Sequence, residues 1–458
     1  MHDPTHLDAS QLAAAVNARQ LKCVDIIDAH LKRIKQINPQ VNAITHTLSE
    51  SALSMATAMD ANPVCKPLAG VPFTVKGNID LYGSPTHQGI PAFASTMPLA
   101  NAPIVDRMIA AGAIPIARTN LPELAMRLCT DNPLFGATLN PWNEYLTPGG
   151  SSGGDAVAIA TGMTPVGLGN DTGGSLRSPA YCCGVAALKP TVGRMPTARS
   201  TGPKDMGLAM EVMQVEGPMA RSVADLRTLF HVLSGHHPGD IRSQDQPLTG
   251  PAYQQKIGLV SAVPGVTLPS VTQNDIERIG TLLTDAGYEV ESVELPQLNA
   301  VNNLWGDLLA TDLQHTIRTL QPVLSRPVHL FLADMVRAFD TSLTREQLLD
   351  RRSQLQSLWA AQFERTPCLV TPTWTQLPWP VDADLDPIYG IPLLRDTTAT
   401  VTPANILGFP AIALPTGVAD GIPTGIQIMA PWWREDICLD IAQVIEHHCP
   451  MPTPITPS

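Results

Sequence analysis

The sequence predicts an α/β protein, and three observations carry that prediction. Strand-like and helical stretches alternate along most of the 458 residues. Apolar side chains make up 44% of the chain and charged ones 15%, enough apolar material for a sizeable core. Two glycine-and-serine turns, near residues 149–154 and 171–175, bracket a single helix-strand unit.

Taken in order, residues 10–35 read as helical, with Ser10 as a cap and, after a break at 19–22, Val24, Ile27, Leu31 and Ile34 recurring at helical spacing. The run Gly70-Val71-Pro72-Phe73-Thr74-Val75-Lys76 opens with turn residues and continues with β-branched and aromatic ones, so it predicts a short strand delivering Lys76 to its end. A helix is expected over 102–111, a buried strand over 113–117 and a further helix over 121–128. Residues 132–150, rich in Asn, Pro, Gly and Thr, predict a long irregular segment that ends at Gly149-Gly150-Ser151-Ser152-Gly153-Gly154. Small helix formers over 155–161 then lead to a strand over 164–169, which feeds Asp171-Thr172-Gly173-Gly174-Ser175. Beyond residue 205, strands at 256–260 and 288–293 alternate with helices at 272–286 and 344–363, and residues 400–429 return to β-type sequence expected to rejoin the main sheet. No internal repeat is visible.

A net charge of −12, without any local run of Lys and Arg, repels phosphate backbones and anionic lipid, so nucleic acid is not an expected partner. The eight cysteines contain no C-x-x-C pair and read as buried thiols of a reducing compartment, the adjacent Cys182 and Cys183 included. The start MHDPTHLDAS lacks the basic-then-apolar order of a secretory signal, and no stretch approaches the roughly 20 apolar residues of a membrane span. The expectation is a soluble cytoplasmic protein that does not engage a membrane.

Singly, the motifs are weak: a strand-end lysine is ordinarily a solvated charge, a GGSSGG string a linker, a GGS turn only a turn. Their joint order within a hundred residues, each flanked by apolar sequence, is the signal. A phosphate-cradling loop would need a Lys after the glycines, and a dinucleotide fingerprint needs G-x-G-x-x-G, whereas Gly167, Gly169 and Gly173 are spaced G-x-G-x-x-x-G. The 12 histidines show no H-E-x-x-H pattern and there is no G-x-S-x-G elbow, so His87, His315 and His329 read as structural.

Residues 148–191, PGGSSGGDAVAIATGMTPVGLGNDTGGSLRSPAYCCGVAALKPT, resemble the signature of the amidase signature family. The resemblance extends to PLAGVPFTVKGNID (67–80), TNLPELAM (119–126), NPLFGATLNPW (132–142), GPMARSVADL (217–226) and TPANILGFPAIALP (402–415). It implies a large mixed twisted sheet flanked by helices on both faces, in a single domain over 1–458 with a catalytic signature core at 67–200 and a variable substrate-shaping region at 205–395. It also implies hydrolysis of a carboxylic amide to the acid plus ammonia or amine, through an acyl-enzyme on Ser175. Lys76 is then the catalytic lysine and Ser151 the bridging serine, preceded by a cis peptide from Gly150.

The chemistry is consistent with these roles. A serine hydroxyl becomes a useful nucleophile only when a base takes its proton, and a lysine can be that base once burial has lowered its pKa from about 10.4. Gly173 and Gly174 lack Cβ, so the N–H groups of Thr172, Gly173, Gly174 and Ser175 can form a nest for an oxyanion. Ser152, Asp171 and Arg177 are expected to support the site, the last two by orienting the loop. Ala125, Met126 and Cys129 are candidates for the substrate pocket, with Trp305, Trp374, Trp379 and Tyr389 for an apolar lining. Neither metal nor organic cofactor is expected. The expected partner is a small-molecule amide, and a homodimer is allowed but not required. Two other readings stand beside this one: the glutaminase (A) subunit of a tRNA-dependent amidotransferase, and a catalytically silent binding protein of the same fold. One departure is evident, because the family commonly has Asp after its catalytic lysine and this chain has Gly77.

Overall fold

The structure, a computed structural model, describes residues 3–201 and 207–457. The first two residues of the 205–395 region and of the N-terminal stretch lie outside the described residues. Eleven strands form one sheet: β1 (Ile44–Thr47), β2 (Pro72–Lys76), β3 (Ile114–Thr119), β4 (Val166–Asp171), β5 (Ala186–Lys189), β6 (Val215–Ala220), β7 (Lys256–Leu259), β8 (Glu289–Ser292), β9 (Cys368–Pro372), β10 (Ala411–Ala419) and β11 (Ile422–Met429). Their spatial order is β1-β3-β2-β4-β6-β5-β10-β11-β9-β7-β8. The β3-β2-β4 and β9-β7-β8 pairings are parallel and the rest antiparallel, so the sheet is mixed as expected. Each face is buried by helices. Phe73, Val75, Val166 and Leu168 pack into one core, while the helix Gly153–Ala160 and much of the helix Leu298–Leu320 pack into the other.

The strands justify themselves by composition. β2 and β4 are fully buried runs of β-branched, aromatic and glycine residues, the pattern of strands covered on both faces. They are parallel neighbours, with Val75 opposite Leu168, so their C-terminal ends lie side by side. In open α/β sheets that edge is where ligands bind.

Three local expectations are corrected. The first helix is capped not by Ser10 but by Asp8, whose N–H donates to Gln11 Oε1 at 2.9 Å, while the Asp225 carboxylate accepts the free N–H groups of Ala9 and Ser10. Residues 121–128 form only a three-residue turn, Glu123–Ala125. Leu124 and Ala125 take left-handed backbone angles (φ 55° and 59°), held by Leu124 N–H donating to Gln88 O at 2.9 Å and by Glu123 accepting from Ser325 N at 2.8 Å. Here tertiary contacts override helical composition. Finally, the 400–429 stretch begins with a helix, Thr402–Leu407, before β10 and β11 form the hairpin that joins β5.

Candidate active site

Lys76 ends β2 with its side chain fully buried. Its Nζ donates to Ser151 Oγ at 2.7 Å, Ser152 Oγ at 2.9 Å and Asn170 Oδ1 at 2.7 Å. Three donated hydrogen bonds are those of the ammonium form; the neutral amine keeps two N–H donors, and its lone pair can accept from the Ser151 hydroxyl. Burial pushes the Lys76 amine down to about 7, partly opposed by the negative charges of Asp155, Glu216 and Asp171. No carboxylate touches Nζ among the described residues. Asp155 instead accepts from Thr74 Oγ1 at 2.8 Å and Thr119 Oγ1 at 2.7 Å, and burial raises its own pKa.

The serines reach the amine because the intervening backbone is thin. Ser151 and Ser152 precede the helix Gly153–Ala160, and a Cβ on Gly169 would lie 2.6 Å from Ser152 Oγ, so only glycine at that point of β4 admits the serine turn. The Gly150–Ser151 peptide is cis. Ser152 N–H donates to Ser175 O at 3.1 Å, which ties the two serine loops together. Ser151 and Ser175 border one cavity of about 120 Å³. Ser175 Oγ itself makes no hydrogen bond among the described residues.

The loop carrying Ser175 is clamped by a buried ion pair. Asp171 accepts from Arg177 Nε at 3.0 Å and Nη2 at 3.1 Å, from Asn405 Nδ2 at 2.8 Å, and from the N–H groups of Gly174 and Leu176 at 2.7 and 3.2 Å. Burial alone would raise the Asp171 carboxyl, but Arg177 and these donors hold it well below the usual carboxylate range. Arg177 also donates to Val401 O at 2.8 Å, Gln427 Oε1 at 2.5 Å and Asn405 Oδ1 at 2.6 Å.

This clamp corrects the expected oxyanion nest. The Gly174 N–H is taken by Asp171, so only the Thr172, Gly173 and Ser175 N–H groups are without a hydrogen-bond partner among the described residues. Gly174 acts through its backbone angle instead (φ 104°), a conformation that glycine adopts at no steric cost.

Of the pocket candidates, Ala125, Met126 and Trp305 line the cavity. Cys129 does not: its Sγ lies with the Asp382 and Asp384 carboxylates, and burial pushes its thiol up to about 12. That cluster has metal-ligand composition, but Arg127 already donates to Asp382 Oδ1 and to both oxygens of Asp384. Trp374 and Trp379 are core residues stacked on each other at 5.4 Å, and Tyr389 is exposed on the surface. Gly77, where the family commonly has Asp, leaves room for His87: a Cβ there would fall 2.4 Å from the imidazole. Asn170, which accepts from Lys76 and donates to Asn78 Oδ1 at 3.0 Å, joins the site without any motif that marks it in the sequence.

The Amidase family profile matches residues 25–439. An indoleacetamide hydrolase from Bradyrhizobium diazoefficiens is 33% identical over 455 residues, covering 96% of this chain and 86% of that protein. The glutamyl-tRNA(Gln) amidotransferase (A) subunit from Salinispora arenicola is 30% identical over 493 residues, covering 97% and 98%. Among solved structures, 6-aminohexanoate cyclic dimer hydrolase superposes with a TM-score of 0.85 at 27% identity, covering 98% of each chain.

Proposed function

Because the chain belongs to the amidase signature family and is a hydrolase acting on carbon–nitrogen amide bonds, we propose that the reaction runs through Ser175 as nucleophile, Ser151 as proton relay and Lys76 as base. The observation that carries this reading is the contact between a fully buried amine and the Ser151 hydroxyl at 2.7 Å. Ser175 Oγ attacks the amide carbonyl carbon while its proton passes to Ser151, whose own proton passes to Lys76. The carbonyl oxygen, now negative, is met by the N–H groups of Thr172, Gly173 and Ser175, donors already fixed in place before reaction. Collapse expels the amine, which takes a proton back from Lys76 through Ser151. Water then repeats the sequence on the acyl-enzyme, releasing the acid and restoring Ser175. The Asp171–Arg177 pair orients the loop and moves no proton.

Ammonia release from simple amides, combined with fluorophosphonate labelling mapped by mass spectrometry, tests the assignment. Labelling at Ser175 that disappears in Ser175→Ala supports it; an unlabelled Ser175, or unchanged turnover in that variant, overturns it and favours a silent binding protein. The end-to-end match to the (A) subunit of an amidotransferase sustains a second reading, in which ammonia is handed to partner subunits. Full activity of the isolated chain, with no gain on adding such subunits, decides against it. Eight free cysteines and no described helix long and apolar enough to cross a membrane support placing the chain in the cytoplasm.

A further inference from the structure

The cavity beside Ser175 is chemically two-sided. Its apolar wall is built by Met126, Trp305, Leu309, Phe331, Met335 and Leu394. Trp305 lies directly against the nucleophile loop: a Cβ on Gly173 would sit 2.6 Å from its ring, and its Nε1–H donates to Thr172 O at 3.1 Å. The indole's one polar atom is thus spent on the loop, and the rest of the ring is hydrocarbon surface.

The polar wall carries Asn78, Asn170 and Gln214. Among the described residues lining the cavity there is no Asp or Glu, so an α-ammonium group would find no counter-charge. Of the two cations, Arg127 is paired with Asp382 and Asp384, while Arg199 donates to the neutral Gln214 Oε1 at 3.1 Å, a contact that adds no counter-charge. An acyl group bearing an α-ammonium would therefore lose the hydration of that charge without replacement, whereas an apolar one gains from leaving water.

Resting on Ser175 as nucleophile, we propose that the acid portion of the preferred amide is a single apolar ring or a short branched alkyl group, seated against Trp305. The size follows from the volume. A hydrocarbon-lined cavity of about 150 Å³ accommodates benzene, and this one, at about 120 Å³, is of the same order.

The test compares phenylacetamide, acetamide, L-glutamine and oleamide by ammonia release with the full chain. Phenylacetamide is expected to exceed acetamide in kcat/KM by about 10- to 100-fold, the yield of burying one ring, and to exceed glutamine and oleamide by more. Met335→Trp, which fills the cavity, is expected to raise KM for phenylacetamide at least tenfold more than KM for acetamide. Glutamine turned over as well as phenylacetamide, or oleamide preferred to both, overturns the inference. Fluorophosphonate labelling in parallel separates two failures. A labelled enzyme that prefers glutamine sinks the acyl-group assignment alone, and an unlabelled enzyme inactive on all four amides sinks the nucleophile assignment and this inference with it.

Discussion

Lys76 and Lys189 make an instructive pair. Each is the last residue of a buried strand, each is fully enclosed, and burial pushes each amine down to about 7. Lys189 is further held down by the nearby Arg177. Their contacts differ: Lys76 meets two serine hydroxyls and an amide oxygen beside a cavity, whereas Lys189 donates to the carbonyl of Pro190, its own neighbour. A depressed lysine pKa records depth; catalysis needs in addition a path for the proton to a reacting atom.

That contrast can be broken or sharpened by measurement. The largest effect is expected for Ser175→Ala, a loss of at least about 10⁴-fold in kcat with the thermal unfolding midpoint little changed. Next, Lys76→Met is expected to lower kcat by about 10²- to 10⁴-fold, while Lys189→Met stays within about threefold and leaves stability equal or higher, since it replaces a buried charge-bearing group by hydrocarbon. Comparable losses in both lysine variants would erase the distinction. Asp171→Asn leaves Arg177 without its counter-charge and is expected to destabilise the fold by about 3–5 kcal/mol, read from denaturant unfolding.

The smallest effect concerns pH. Only the neutral Lys76 accepts a proton, so kcat/KM is expected to rise with pH through about 7 and level off above it. Asn170→Asp sets a negative charge beside Nζ, favours the ammonium form, and is expected to move that midpoint upward by about one unit. A midpoint that moves with Lys189→Met instead would assign the titration to the wrong amine.

The three positions proposed to handle protons are legible because all of them sit in short motifs with apolar flanks, and the mixed sheet follows from the family resemblance those motifs carry. Asn170 is not legible, although it stands one residue before Asp171. Nothing in GLGND marks it, and its value appears only when β2 and β4, separated by some 90 residues of chain, become neighbours. The helix Leu298–Leu320 does carry a readable signal, Val301, Leu304, Trp305 and Leu308 at helical spacing. What the spacing cannot reveal is that Trp305 reaches the nucleophile loop while Trp374 and Trp379 stack in the core. Cys129 misleads because nearness in sequence to Ala125 and Met126 suggests nearness to the cavity; the lining continues through Arg127 and Leu128, but the Cys129 Sγ lies with Asp382 and Asp384 instead.

Arg177 finds its anchors at Val401, Asn405 and Gln427, which are 224, 228 and 250 positions further along the chain. During synthesis Lys76, Ser151 and Ser175 therefore leave the ribosome long before the residues that anchor the Ser175 loop exist. On the proposed assignment, hydrolytic competence is expected only once translation is nearly finished, and a fragment ending after the signature, however complete its motifs, is expected to be inert.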